Sequence, residues 1–363
     1  MCSWGARSLS LPEPAPRGSA LGDEIREQPD ALRRLLEHQD EFGAVADVAR
    51  RRRQTLVRLV AHGSSDNAAS FGVYAFGLLP GWTALRDSIS LTVYSGAVID
   101  MSGSFVVGIS QSGQTLDVVS YVERARAGGA FTVALTNDPD SALGTAAEAV
   151  LPLAAGPELS IAATKTYLNT LAALALLAAH AAGRGPEFAA AIARVADQLE
   201  GAIPELEPLV AELAVSFAFV GRMFVIGRGT ELATAREVAL KLLETCRVAA
   251  EPLTATAFAH GPVAALDALF PVWAIAAHDE NLAAVREAVD RARAAGAGVV
   301  ASGPAAQELE DVTYRLTTPE PPLPLLSPLL SVLPGQLFAC ALAQAKGFDP
   351  DRPQRLAKVT RAR

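Results

Sequence analysis

The sequence predicts an α/β chain of two tandem doubly wound domains, each a parallel sheet with helices on both faces. Three observations predict it. Short apolar runs of strand length alternate with longer helical patterns. The alternation restarts midway with the same opening: Leu59-Val60-Ala61-His62-Gly63-Ser64 in the first half, Val225-Ile226-Gly227-Arg228-Gly229-Thr230 in the second. Gly63 and Gly229 stand 166 residues apart, close to half the chain. At 363 residues, half of them hydrophobic and 19% charged, the chain can bury two cores.

In chain order, residues 24–53 read as helix, with Leu32, Leu35 and Leu36 on one face. Strand-like runs follow at 56–61, 91–94, 105–110, 131–136 and 150–153, with helical patterns between most of them and a long one at 161–182. Residues 183–186 mark a boundary. A helical connector at 187–214 is expected to be interrupted by Pro204 and Pro208. Then come a strand at 223–227, a helix at 232–246, a strand at 272–277 and a helix at 283–295. Strands at 298–301 and 312–316, a Pro-rich turn at 319–328 and a last helix at 333–346 complete the second half. The implied organisation is a flexible tail (1–21), a first domain with its leading helix (22–185), the connector (186–214), a second domain (215–348) and a C-terminal tail (349–363).

Composition narrows the function classes. A net charge of −8 argues against nucleic acid or an anionic membrane as partner. It leaves room for a phosphorylated small molecule, because N–H groups and hydroxyls bind phosphate locally. Cys2, Cys246 and Cys340 have neither metal-type nor disulfide spacing, so a reduced, cytoplasmic setting is expected. Residues 1–20 are Pro/Ser-rich without an apolar core, unlike a secretory signal. The apolar stretch 167–182 falls short of the roughly 20 residues of a membrane span.

The chemistry starts at residues 109–117, Ile-Ser-Gln-Ser-Gly-Gln-Thr-Leu-Asp. An apolar strand ends in Ser110, Gln111, Ser112, Gly113 and Thr115 and opens a helix. Gly113 permits the tight turn, the hydroxyls line it, and the first helical N–H groups point at the same spot. No Lys stands in the loop, so a single phosphate on a small metabolite fits better than a nucleoside triphosphate. A hydroxyl-rich helix cap is the plain alternative. Because ligands of doubly wound sheets sit at the carboxyl ends of the strands, the turn at Gly63-Ser64-Ser65 belongs to the same edge and favours the phosphate reading.

In the second half, Lys241 and Glu244 are three apart on one helix face. A carboxylate near a buried face can shuttle protons, and a surface ion pair is the alternative. His260, in the loop His260-Gly261-Pro262, has the setting of an acid–base group or an ordinary loop histidine. His38, His62, His180 and His278 lack such a setting, and no metal cluster or cofactor is expected. Lys358 lies in a basic tail where Leu356, Ala357 and Val359 alternate with charge, so the tail can dock and place the amine at a carbonyl.

Taken together, these motifs resemble the tandem SIS (sugar isomerase) domains, of flavodoxin-like type, of the isomerase half of glutamine–fructose-6-phosphate aminotransferase. They also resemble stand-alone glucosamine-6-phosphate deaminases of SIS type and fructosamine-phosphate deglycases. The resemblance spans residues 22–363. It matches Ser64 and Ser65 to the family's hydroxyl pair, and Ser110, Gln111, Ser112 and Thr115 to its sugar-phosphate loop. Residues 158–165, Glu-Leu-Ser-Ile-Ala-Ala-Thr-Lys, including Ala162 and Ala163, match the segment that closes over the sugar.

The resemblance implies that Glu244 moves the proton between C2 and C1, that Lys241 and Lys358 stabilise charge, and that His260 opens the ring. It further implies a homodimer whose neighbouring subunit supplies that histidine, with no cofactor and no metal. The departures are informative. Only about 20 residues precede the first domain, whereas the aminotransferases carry a glutaminase domain there, and Cys2 is followed by Ser rather than Gly. Ala163 replaces a Ser, Gln354 replaces an Arg, and the tail is one residue shorter. The expected activity is therefore deamination of glucosamine 6-phosphate to fructose 6-phosphate and ammonia. A deglycase or isomerase of another fructosamine-type phosphosugar and a non-catalytic sugar-phosphate-binding regulator are the alternatives. Retention of Glu244, His260 and Lys358 argues against the regulator.

Overall fold

The structure, a computed structural model, describes residues 18–358. Most of the expected N-terminal tail, with Cys2, lies outside the described residues, as do Val359 and Thr360.

Three helices lead in: α1 (Ala20–Arg26), α2 (Gln28–Leu36) and α3 (Gln39–Arg51). The single helix expected over 24–53 is thus divided. Pro29 in the first turn of α2 has no N–H to give and its ring crowds the carbonyl four residues back, which ends α1. The first sheet holds β1 (Leu56–Val60), β2 (Thr83–Arg86), β3 (Ser104–Ile109), β4 (Phe131–Thr136) and β5 (Ala149–Pro152). Between and after them come α4 (Gly63–Leu78), α5 (Leu116–Ala127), α6 (Ala142–Ala146) and α7 (Lys165–Ala181). A long helix, α8 (Gly185–Ser216), leads to the second sheet, with β6 (Arg222–Gly227), β7 (Ala249–Thr254), β8 (Val272–Ile275), β9 (Val299–Gly303) and β10 (Tyr314–Thr317). Its helices are α9 (Glu231–Cys246), α10 (Ala255–Ala259), α11 (Leu282–Ala294) and α12 (Ser327–Ala345).

Every strand pairing is parallel. The sheet orders are β2-β1-β3-β4-β5 and β10-β9-β8-β6-β7, so each domain winds in the same way from its own first strand. The repeat read from the sequence is therefore a repeat of topology. Helices α4 and α9, which occupy equivalent places in the two halves, pack against each other and bring the two domains face to face.

Several elements correct the sequence reading. Residues 90–94 form a π-helical turn rather than a strand, and the partner of β1 is instead the half-exposed β2. Strand β7 is a further difference from the sequence reading: its side chains are exposed or half-exposed, and Glu251 and Pro252 break any apolar run. Helix α8 runs unbroken past Pro204 and Pro208. The two prolines lie one turn apart, so their lost hydrogen bonds fall together, while Leu199, Ile203, Leu206, Val210 and Leu213 keep one face buried. Helix α7 begins at Lys165, four residues later than expected. Helix α12 begins at Ser327, inside the expected turn, with Pro334 in its interior. Residues Pro324–Ala345 are long and apolar enough to cross a membrane, and they form a helix buried in the core.

The packing sets the site's position. Strands β3 and β4 are buried along their whole length, as apolar parallel strands covered on both faces must be. At Gly108, where a Cβ would meet Val122 Cγ2 at 2.6 Å, the missing side chain lets α5 lie close on β3. Val60 pairs with Gly108, so the loops leaving β1 and β3 emerge side by side at the switch point of the sheet.

Candidate active site

The loop after β3 is shaped by its own side chains. Gly113 holds φ +62°, and a Cβ there would fall 1.9 Å from Ser141 Oγ. Ser110 Oγ and Thr115 Oγ1 share a hydrogen bond of 2.9 Å, and Gln114 N donates to Ser112 Oγ at 3.3 Å. The backbone is braced by Asn137 N to Gln111 O and Leu143 N to Gly113 O. Thr115 caps α5 in extended conformation, which leaves the first N–H groups of that helix turned to the loop.

This loop forms one wall of a cavity of about 520 Å3. Ser64 and Ser65, at the start of α4, line it from β1. Ala163 lines it from the segment before α7, with Lys241 and Glu244 from α9 and Lys358 from the tail. Ser110, Gln111, Ser112 and Thr115 complete the set, so ten of the twelve residues expected from the sequence meet in one place. Ala162 is fully buried beside the cavity and does not line it. His260 is elsewhere: exposed at the end of α10, it borders a separate cavity of about 280 Å3 with Ala284 and Arg291 of α11. Within one chain it does not reach the other groups.

Lys241 and Glu244 are no surface ion pair. The Lys241 side chain is buried, 2.7 Å from Glu244 Oε2 and 3.4 Å from Glu237 Oε1. Burial alone would draw this ammonium down, but the carboxylates of Glu237 and Glu244 outweigh it and hold it well above the ordinary lysine value. Glu237 is fully buried, and burial pushes its carboxyl up against the pull of Lys241. Glu237 accepts from Ser64 Oγ and Asn67 Nδ2, each at 2.9 Å, while Lys241 Nζ donates to Ser64 Oγ at 3.2 Å. The Ser64 hydroxyl has therefore spent its proton and can only accept from a ligand hydroxyl.

Lys358 is docked. Its Nζ donates to Glu158 Oε2 at 2.8 Å and to Ser160 O at 2.6 Å, which leaves one of its three N–H bonds for the cavity. Burial works to raise Glu158, but Lys358 and the donors Thr164 N and Thr166 Oγ1 hold its carboxyl below the usual range. The tail is fixed upstream as well. Asp351 accepts from the first N–H groups of α1, Ala20 N at 2.9 Å and Leu21 N at 2.8 Å, and its carbonyl accepts from Ile161 N at 3.1 Å. The replacement of an Arg by Gln354 thus does not prevent docking.

Sequence reasoning missed Glu237 and His62. Glu237 stands one helical turn before Lys241, a spacing that could have signalled it. His62, set aside for lack of a setting, lines the cavity with Tyr94 and Asp117, and its Nε2 lies 2.7 Å from Asp117 Oδ2. Its place directly before Gly63-Ser64 was the available signal. Among the described residues no cluster suited to a metal ion occurs. The corresponding crevice of the second domain carries His278, Asp279 and Glu280 where the first has hydroxyls, and Arg228 Nε is tied there to Asn281 Oδ1 at 3.1 Å. The hydroxyl-rich loop is thus a feature of the first domain's switch point alone of the two.

The comparisons with known proteins agree with this fold. The SIS domain profile matches residues 53–180 and again 217–345. The chain is 35% identical, over 341 residues and 92% of its own length, to the glutamine–fructose-6-phosphate aminotransferase (isomerizing) of Methanothermobacter thermautotrophicus, of which it covers 56%. It spans little more than half the length of such curated relatives. A "putative phosphosugar isomerase" from Silicibacter pomeroyi DSS-3 is 33% identical, superposes with a TM-score of 0.81, and is covered in full by 92% of this chain. A glucosamine-6-phosphate deaminase of Thermotoga maritima, 19% identical and 99% covered by 94% of this chain, shares the fold with a TM-score of 0.74.

Proposed function

The chain belongs to the SIS domain family, related to the isomerase half of the glutamine–fructose-6-phosphate aminotransferases, and from that premise we propose that it is an amino-sugar phosphate isomerase and deaminase. The substrate is glucosamine 6-phosphate, and the products are fructose 6-phosphate and ammonia. One observation carries the proposal: a hydroxyl-rich anion loop, a carboxylate paired with a buried lysine, and a docked tail lysine converge on one cavity from two domains and the tail.

Each group has a task that its geometry suits. Ser110, Gln111, Ser112 and Thr115, with the start of α5, take the phosphate. Ser64 accepts from a sugar hydroxyl. Glu244 removes the C2 proton of the open-chain aldehyde and returns it to C1, while the substrate's ammonium group gives up one proton and O1 takes one up, which converts the 2-amino aldehyde through an enolamine to a C2 iminium. Water adds at C2, the C–N bond breaks, and ammonia leaves. The free N–H of Lys358 and the cationic Lys241 steady the oxygen and carboxylate charges during transfer. The ring opens through His260 of a second copy in a homodimer with a shared site. In its own chain His260 is exposed and borders a different cavity, which supports that arrangement.

A second reading draws on one further observation. Glu244 also borders a cavity of about 800 Å3 formed by the end of α9 and the tail. Space behind the proton-transfer group suits a substrate with a larger amine at the reacting carbon, the deglycase alternative.

The test is release of ammonia and fructose 6-phosphate from glucosamine 6-phosphate without glutamine, beside a His260→Ala variant. Release by the parent chain, with the variant losing turnover while retaining sugar-phosphate binding, supports the proposal. No release, with glycated-amine phosphates turned over instead, transfers the assignment to the second reading.

A further inference from the structure

The phosphate loop carries an acidic residue at its own edge. Asp117 lies two residues past Thr115, in the first turn of α5, and lines the same cavity as the hydroxyls. A carboxylate there opposes a doubly charged ligand through a short distance of partly shielded space. The loop offers no lysine or arginine to offset it. The two lysines of the cavity are engaged elsewhere, Lys241 with Glu237 and Glu244, and Lys358 with Glu158. What meets Asp117 is His62, whose Nε2 lies 2.7 Å from Oδ2, with Tyr94 Oη donating to the same oxygen at 3.5 Å. The other oxygen, Oδ1, accepts from Val118 N at 2.9 Å. Asp117 is nearly buried while His62 is more than half exposed at the cavity mouth.

We propose that His62, hydrogen-bonded through Nε2 to Asp117 Oδ2, is a positioning residue of the phosphate site that engages this carboxylate and so makes room electrostatically for the ligand's charge. The inference rests on the assignment of the loop after β3 as the phosphate site. With Asp117 held by His62, Tyr94 and Val118 N, the helix N-terminus and the hydroxyls act on the phosphate against a partly shielded carboxylate. With His62 gone, the carboxylate stands bare beside it.

The probe is a hexitol 6-phosphate, which has no carbonyl and cannot turn over, with the unphosphorylated hexitol as control, measured by calorimetry on the full chain. His62→Gln is expected to weaken the phosphorylated ligand about tenfold, the equivalent of one modest charge pair. Asp117→Asn alone is expected to bind as well as the parent or better. The double variant is expected to recover most of the lost affinity, because the charge that needed neutralising is gone. Equal weakening by Asp117→Asn would overturn the proposal and leave the pair a mechanical latch. Failure of the double variant to recover would overturn it in favour of direct phosphate contact by His62. An unchanged Kd for His62→Gln would overturn it while leaving the phosphate site standing. No preference of the parent chain for the phosphorylated hexitol would overturn both.

Discussion

Lys241→Met removes the one cation that touches Glu237 and Glu244 together and leaves a side chain of similar length to fill the space. The magnitude follows from what remains around Glu237. That carboxylate has no exposed surface, and stripping the partner from a buried ion pair costs roughly 3–5 kcal/mol. Ser64 Oγ and Asn67 Nδ2 still donate to its two oxygens at 2.9 Å, so neither oxygen is orphaned and the lower end applies, about 3 kcal/mol. The loss depends on pH in a definite sense. Burial raises the Glu237 carboxyl, so its ionised form weighs against the fold above the unfolded value near 4.3 and ceases to do so below it. The deficit is therefore expected in full near neutral pH and should shrink as pH falls toward about 4.5. Urea denaturation of parent and variant at both pH values measures it, with Lys241→Met/Glu237→Gln as the compensating pair. A deficit below about 1 kcal/mol at neutral pH would refute the reasoning. So would one that persists unchanged in acid or in the double variant.

Gly113→Ala strains the loop after β3 twice, through a left-handed φ that costs a non-glycine residue about 1–2 kcal/mol and through a Cβ that must displace Ser141. Stability should fall by about 2–3 kcal/mol, read by urea denaturation, and sugar-phosphate affinity should fall with it. His278 is held above the ordinary histidine value by hydrogen bonds to Glu320 and then Glu308, at 2.6 and 2.8 Å. Its contribution to stability is thus complete below the unfolded value near 6.5 and is lost as pH rises past the raised one. Because the cluster is solvent-exposed, His278→Gln should cost less than about 1 kcal/mol at pH about 6 and nothing near pH 9, by denaturation at the two values.

How much of this was legible in the sequence depended on whether the signal was local. Strand β4 announces itself because Phe131 to Thr136 is a buried apolar run between turn residues. Strand β2 does not, because four half-exposed residues beside β1 carry no such pattern, while the apolar Leu91, Val93 and Tyr94 imitate a strand inside a helical turn. The proline breaks expected in α8 were overruled by the burial of its apolar face against the rest of the fold. The hydroxyl-rich loop after β3 was readable because its hydroxyls lie close together in the sequence. The partners of those residues were not, since Ser64 meets Glu237 and Lys358 meets Glu158 only once two domains and the tail have closed on each other. His62 escaped for the same reason, its partner being an aspartate 55 residues away.

The most direct test of proton transfer at Glu244 is hydrogen exchange, which reads the step without regard to the nitrogen chemistry. Fructose 6-phosphate and ammonium are incubated with the chain in D2O, and deuterium at C1 is followed by NMR, with Glu244→Gln alongside. The account predicts deuterium entering C1 with the parent chain and none above background with the variant. Equal exchange in the two would contradict it and remove Glu244 from the reaction.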